Sequence, residues 1–271
     1  MKNGVALLVT LSFLIIIVVL IGKFFLVYEH ISSNTFERAI SQNSLFIKDV
    51  KKVISSLTKE INSSKELKKI FISFPFEVEN IKGIITITSL SNKLNLNLYK
   101  NKQKRKIIDQ FLENLFNYYN VNDFFYFKNL LLDTYDLDLN ERDSYTEIAL
   151  YDNTFQDGEI YNFKQFKKIL DIYAKQRNDK NIYKIPWKKL IYFSDEKSII
   201  DCENANKLLL KFFEINSCKN ITDAMKSLDI IPYSKGKNYL IKIRINYNLD
   251  NLNIIYNLKT KKVIVENHPI Y

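Results

Sequence analysis

The sequence predicts an α+β fold: a long N-terminal helix that begins in a membrane, an antiparallel β-sheet, and a helical domain inserted between two parts of that sheet. Three observations carry this. An apolar run without charge fills Val5 to Gly22. From Lys23 to Phe74 there is no Gly or Pro, and apolar residues keep one helical face. Alternating apolar residues then mark strands before and after a long stretch of helical pattern.

The run from Val5 to Gly22 spans about 27 Å at about 1.5 Å per residue, close to the thickness of a hydrocarbon core. It exceeds the roughly 7–15 residues of a secretory h-region, and no A-x-A site follows it. Lys23 can snorkel to the interface and Tyr28 suits the headgroup level. Positive charge does not fix the orientation, because only Lys2 precedes the span while Lys23, Arg38, Lys48, Lys51 and Lys52 follow it. The size of the following chain does, and it places the N-terminus in the cytoplasm.

Beyond the membrane, Phe36, Ile40, Ile47, Val50, Ile54, Leu57 and Ile61 continue one apolar face. The pattern reads as one helix from about Val5 to Ile61, or as two with a break at Ser32-Ser33-Asn34. Pro75 stops it. Phe74–Val78 and Ile84–Thr88 are rich in β-branched and aromatic residues, and Leu94–Leu98 alternates with period two, so all three read as strands. Helical pattern runs from Lys102 to about Phe213, with Phe111, Leu112, Leu115, Tyr118 and Tyr119 lining one helix and Phe125, Leu130, Leu131 and Leu132 another. Asn162 and Gln165 form a capping box, and Pro186 opens a short helix carrying Trp187. Strands return at Tyr239–Tyr247, Leu252–Leu258 and Val263–Val265, with turn signals at Asp250-Asn251 and Thr260-Lys261.

Four stretches, taken in this order, resemble the minor pseudopilin K family of type II secretion systems, a branch of the type IV pilin-like proteins. Gly4-Val5-Ala6-Leu7-Leu8-Val9 resembles the family's start. Lys93-Leu94-Asn95-Leu96-Asn97 resembles its "GKLNLN" segment, with Asn92 in place of the Gly. Leu131-Leu132-Asp133 onward resembles its acidic loop. Ile200-Asp201-Cys202-Glu203-Asn204-Ala205, followed by Leu208-Leu209-Leu210, resembles its "INVNTA…VL" segment. The resemblance implies a pilin-type helix and these divisions: a leader over 1–4, a transmembrane helix over 5–28, an amphipathic helix and first strands over 29–100, an inserted helical domain over 101–215, and C-terminal strands over 216–271.

It also implies a function. The chain would be a non-enzymatic subunit that initiates or caps a pseudopilus for protein export, held in the inner membrane by one span with its bulk in the periplasm. Its partners would be other minor pseudopilins, the prepilin peptidase and the inner-membrane secretion assembly. Cleavage would fall between Gly4 and Val5, leaving Val5 as an N-methylated first residue. Val9 then stands at the fifth position, where most pilins carry a Glu that meets a neighbour's amino terminus. A carboxylate without that partner is costly in a membrane, and a capping subunit has no use for one. The alternative is the same architecture in a DNA-uptake or type IV pilus system.

Asp133, Asp136, Asp138, Glu141, Asp143 and Glu147 form the one acidic cluster with ligand chemistry. Oxygens at alternating loop positions suit Ca²⁺, which takes six to eight. This is not an EF-hand: counted from Asp136, position six is Glu141 rather than Gly, although Glu147 falls at position twelve. The resemblance implies Ca²⁺ bound by the helical domain, with Asp136, Asp138, Asp143 and Glu147 as candidate ligands. The other reading is a solvated acidic loop.

The remaining composition narrows little. Net charge is +10, but the lysines are spread along the chain, so nucleic acid is discounted as a partner. Cys202 and Cys218 could pair or remain two buried thiols. No Gly-rich phosphate loop, C-x-x-C pair or G-x-S-x-G elbow is present, and the two histidines, His30 and His268, are far apart in sequence. Catalysis is not expected.

Overall fold

The structure is a computed structural model, and it describes residues 17–19, 21, 23, 51–52, 54–56, 58–59, 61–78, 81–231, 238–247 and 250–266. Two compact units divide the chain. The first comprises Met1–Leu90 with Ser234–Tyr271, and the second is Ser91–Tyr233. The stretch read as helical from sequence, 101–215, lies inside the second unit.

In the first unit, Ile17–Val19, Ile21 and Lys23 have helical backbone, as do residues 51–52, 54–56 and 58. Among the described residues no helix is long and apolar enough to cross a membrane. The rest of the stretch 5–28 lies outside them, and so do Gly4, Val5 and Val9. A short helix α1 (Ser64–Leu67), N-capped by the Ser63 side chain, precedes strand β1 (Ser73–Val78). β1 pairs with β2 (Ile81–Ser89), and three further strands complete an antiparallel sheet: β7 (Leu240–Tyr247), β8 (Asp250–Asn257) and β9 (Val263–Glu266). The order is β1-β2-β7-β8-β9.

The registers Ile85↔Ile245, Ile87↔Ile243, Ile243↔Ile254 and Ile241↔Tyr256 put these side chains on one face, and all are buried. The other face carries Lys82, Thr88 and Arg244 in solvent, the division expected of a sheet covered on one side. Ile54, Thr58 and Ile61 are buried at helical spacing, and burial raises the Tyr256 phenol. The final turn is fixed by Asn257, whose side chain accepts from Lys259 N and Thr260 N while Lys261 takes φ 59°. The signal at Asp250-Asn251 marks the first residues of β8 rather than a turn.

The second unit begins with a correction. Leu94–Leu98 is not a sheet strand. Only β3 (Leu94–Asn95) is extended, paired in parallel with β4 (Ile191–Tyr192), and Leu96–Lys100 is a 3₁₀ turn. The Asn95 side chain drives this by capping Asn97 N at 3.2 Å. Asn97 is itself buried and donates to the Ile160 carbonyl, so both sides of the alternation face inward.

The helices follow: α2 (Lys102–Tyr119), α3 (Phe124–Tyr135), α4 (Phe163–Gln176), α5 (Trp187–Leu190), α6 (Lys207–Phe212) and α7 (Asp223–Ser227). Asn101, Asp123 and Asn162 cap the three long ones through their side chains. Gln165 reaches back one residue beyond the cap and accepts from Tyr161 N rather than from Asn162 N. The core is aromatic. Phe116 meets Tyr173 edge-on at 5.7 Å, Phe127 stacks on Trp187 at 5.9 Å, and Phe166 abuts Trp187 at 5.2 Å. Truncating one such ring costs about 3–5 kcal/mol. A second parallel pair, β5 (Ile200–Asp201) with β6 (Ile230–Ile231), closes the unit. Beside it Cys202 and Cys218 form a disulfide across a separation of 16 residues.

Candidate functional site

The acidic residues collect where α3 ends. Asp133 occupies the last turn of α3 and is fully buried, and the chain turns extended at Asp136. The loop then doubles back, and Arg142 returns to the helix end. Its backbone N–H donates to Asp133 Oδ2 at 3.0 Å, and its guanidinium pairs with Asp133 and, at 2.6 Å, with Asp136. A second loop closes over the same place. Gly158 N donates to the Thr134 carbonyl at 2.8 Å. Gly158 has φ +90°, a conformation that L side chains rarely adopt, and this is what requires glycine here; the Leu137 Cδ2 that a Cβ would approach at 2.9 Å belongs to an exposed side chain that can move. This turn brings Asp157 against Glu147.

Glu147 is fully buried, and neither carboxylate oxygen receives a hydrogen bond. Burial, then the neighbouring Asp157 carboxylate, pushes its pKa up to about 8. Asp157 has one buried oxygen without a donor and is likewise raised, chiefly by burial. The Asp136 oxygens are buried and accept no hydrogen bond in good geometry, although one lies in the Arg142 ion pair; burial raises this carboxyl and Arg142 opposes the shift. Asp133 and Asp136 thus share one guanidinium, and the Glu147–Asp157 carboxyl pair lies close enough to feel their charge. Such a cluster needs protons or a further cation.

Of the four ligands expected from sequence, the structure brings Asp136 and Glu147 into this pocket. Asp138 is exposed and accepts from Asn140 N at 2.9 Å in a local turn. Asp143 faces away, accepting from Ser144 N and pairing with Arg177 at 3.0 Å. Arg177 also binds Asp123 and lies 3.6 Å over the Tyr126 ring, so Asp143 serves a separate ion-pair network. Sequence reasoning missed Asp157. The signal was the Asp157-Gly158 pair, a turn dipeptide whose glycine allows the close approach to α3. As they stand, no three His, Cys, Asp or Glu side chains among the described residues are arranged to hold a metal.

No protein-family model matches the sequence, and no curated protein matches it. A solved structure does match: a chain of the GspK-GspI-GspJ complex from the enterotoxigenic Escherichia coli type 2 secretion system. The TM-score is 0.53 at 13% identity, over 84% of this chain and 96% of that one. At that identity the likeness concerns the fold, an antiparallel sheet accompanied by a helical unit. The chain therefore shares the fold of a chain from that type 2 secretion complex.

Proposed function

We propose that this chain is a non-enzymatic, GspK-like minor pseudopilin that initiates or caps the pseudopilus of a type II secretion-type system. The observation that carries the reading is the break in the sheet. Neighbouring strands β2 and β7 are separated in sequence by a whole compact unit, and the likeness to the secretion-complex chain covers 96% of that chain. That chain comes from a complex of GspK, GspI and GspJ, so other minor pseudopilins are the partners proposed here. In this reading residues 5–28 anchor the protein in the inner membrane and the bulk lies in the periplasm. The Cys202–Cys218 disulfide supports an oxidising compartment. The prepilin peptidase cuts after Gly4, and Val9 at the fifth mature position leaves no carboxylate to be paired within the membrane.

Calcium belongs to the same proposal. Asp136, Glu147 and Asp157, with Asp133, would hold the ion, which would neutralise the Glu147 and Asp157 oxygens that lack donors. Asp138 and Asp143 contribute only through the local field.

Two measurements on the full chain test the reading. Coexpressed with the other minor pseudopilins of its system and extracted in detergent, it should copurify with them. Its intact mass should correspond to a chain beginning at Val5. Retention of Met1–Gly4 in the assembled complex would sink the pilin-type reading.

A further inference from the structure

A chain with 40 Lys and Arg residues has no lysine between Lys128 and Lys164, and from Asp133 to Glu159 it sets nine carboxyl groups against Arg142 alone. Most of these are answered within the unit. Asp133 and Asp136 hold Arg142, Asp143 holds Arg177, Asp152 holds Lys168, Glu159 holds Lys100, and Glu147 lies against Asp157. Asp138 and Glu141 are left, both exposed and in no ion pair among the described residues.

The surface around Glu141 is aromatic. Its Oε1 accepts from Tyr145 N at 2.9 Å, and it lies against the Tyr151 hydroxyl, which its carboxylate raises. The Tyr145 and Tyr151 rings stand 4.8 Å apart, and both are about half in solvent. Tyr145 has φ 65°, a left-handed conformation unfavourable for so large a side chain, and it is held there with its ring partly in water. Leu137 and Leu139, 85% and 58% exposed, flank Asp138 on the same loop. Nearby, the same three groups occur with a cation in place: Arg177 lies 3.6 Å over the Tyr126 ring and pairs with Asp143, two residues from Glu141. Among the described residues no cation lies over Tyr145 or Tyr151.

We propose that Glu141, Tyr145 and Tyr151 dock an arginine or lysine of a partner protein, whose apolar neighbours cover Leu137 and Leu139. A cation is drawn to the exposed ring faces, and Glu141 supplies the opposite charge. Leucines on either side of Asp138 fit a partner segment that alternates apolar and basic side chains. Charge also excludes anionic occupants from this face, while the net charge of +10 repels a basic segment from most of the remaining surface. The contact requires neither the membrane anchor nor a metal.

The probe is a fluorescein-labelled peptide, Ser-Leu-Arg-Leu-Arg-Leu-Ser, followed by anisotropy against the full chain in non-ionic detergent, with empty micelles as the blank. A second peptide carries citrulline for arginine, which keeps the shape without the charge. The arginine peptide should bind, weaken as salt is added, and bind about tenfold more tightly than the citrulline peptide. Tyr151→Ala and Glu141→Gln should each weaken it about fivefold. Tyr145→Gly should weaken it as much while melting no lower than wild type, because glycine takes φ 65° without strain. A lower midpoint would make that ring structural and overturn its place in the site. No binding, equal binding of the citrulline peptide, or unchanged binding by the three variants overturns the proposal. If Glu141→Gln does not fold, Tyr151→Ala, at an exposed side chain, decides. Sedimentation of the chain alone should show a single copy, and a dimer dissociated by Tyr151→Ala would assign the face to a second copy and overturn the partner reading.

Discussion

Replacing Cys218 with Ser should lower the melting temperature of the helical unit by about 9 °C. The disulfide closes a loop spanning a separation of 16 residues between Cys202 and Cys218. In the chain-entropy treatment a loop of that size stabilises by about 3 kcal/mol. For a unit of this size each kcal/mol moves the midpoint by about 3 °C. Little else should change. Cys218 is only partly buried, and Cys202, buried beside Ile231, remains as a small apolar thiol. The bridged loop contains α6 and Phe213, whose ring stacks on Phe111 at 4.5 Å, so the loss should register as early loosening of α6 from α2. The assay is thermal denaturation of the full chain in detergent, with peptide mapping under non-reducing conditions to establish the bond in wild type. Reductant should reproduce the variant's midpoint in wild type and leave the variant unmoved. A midpoint within about 2 °C of wild type, with the bond mapped, would refute the argument. The open loop would then already be constrained in the unfolded chain.

Further outcomes follow from the pocket and the sheet. Glu147 has a folded pKa of about 8 against an ordinary value of 4.5. The folded state therefore holds this proton more tightly than the unfolded chain, and without calcium the stability it contributes is full below pH 4.5 and is lost as pH rises toward 8. Chelated protein melted at pH 5 and pH 8 should show the lower midpoint at pH 8, and Glu147→Gln should flatten that difference; equal midpoints in wild type would count against the buried pair. Gly158→Ala should destabilise by about 1–2 kcal/mol, because a Cβ is strained at φ +90°; a neutral effect in denaturant titration would show that the turn can shift. Ile54→Asp places a charge at a buried position of the first unit and should prevent that unit from folding, whereas Val9→Glu should leave folding intact and impair assembly. Longer pseudopili with Val9→Glu subunits along the shaft would remove the capping role.

Much of the local structure was legible because it rests on short-range chemistry. Asn162 with Gln165, Pro186 before Trp187, and the alternation of Ile241, Ile243 and Ile245 each depend on neighbours a few residues away. What failed needed distant information. Leu94–Leu98 has the period of a strand, but period reports only that two sides differ. It could not show that Asn95 and Asn97 would be buried and hydrogen-bonded like the leucines beside them. The pairing of β2 with β7 was equally hidden, since a strand's pattern names its faces and not its partner. At the acidic site, spacing picked out Asp136 and Glu147, but it could not separate them from Asp138 and Asp143. That separation depends on Arg142 and Arg177 pulling the loop in two directions. Asp157 enters from another loop altogether. Cys202 and Cys218 had a plausible spacing, yet only the placement of β5 beside the turn after α6 brings them together.

The pairing of β2 with β7 also sets a timetable for biogenesis. Ile85 and its partner Ile245 are 160 positions apart, so at about 5–20 residues per second the ribosome needs about 8–32 s to supply the second after the first. During that interval the 91–233 unit can complete its own core, because none of its strands waits on the sheet. β2 cannot finish. Its run Ile84-Ile85-Thr86-Ile87-Thr88 is uncharged, strongly β-forming and paired on one side only, the kind of edge that recruits foreign strands. The sheet is therefore the last part of the molecule to close, and the segment most prone to aggregate stays open longest. Any system that makes this protein in quantity has to shield that one strand until the chain is almost fully synthesised.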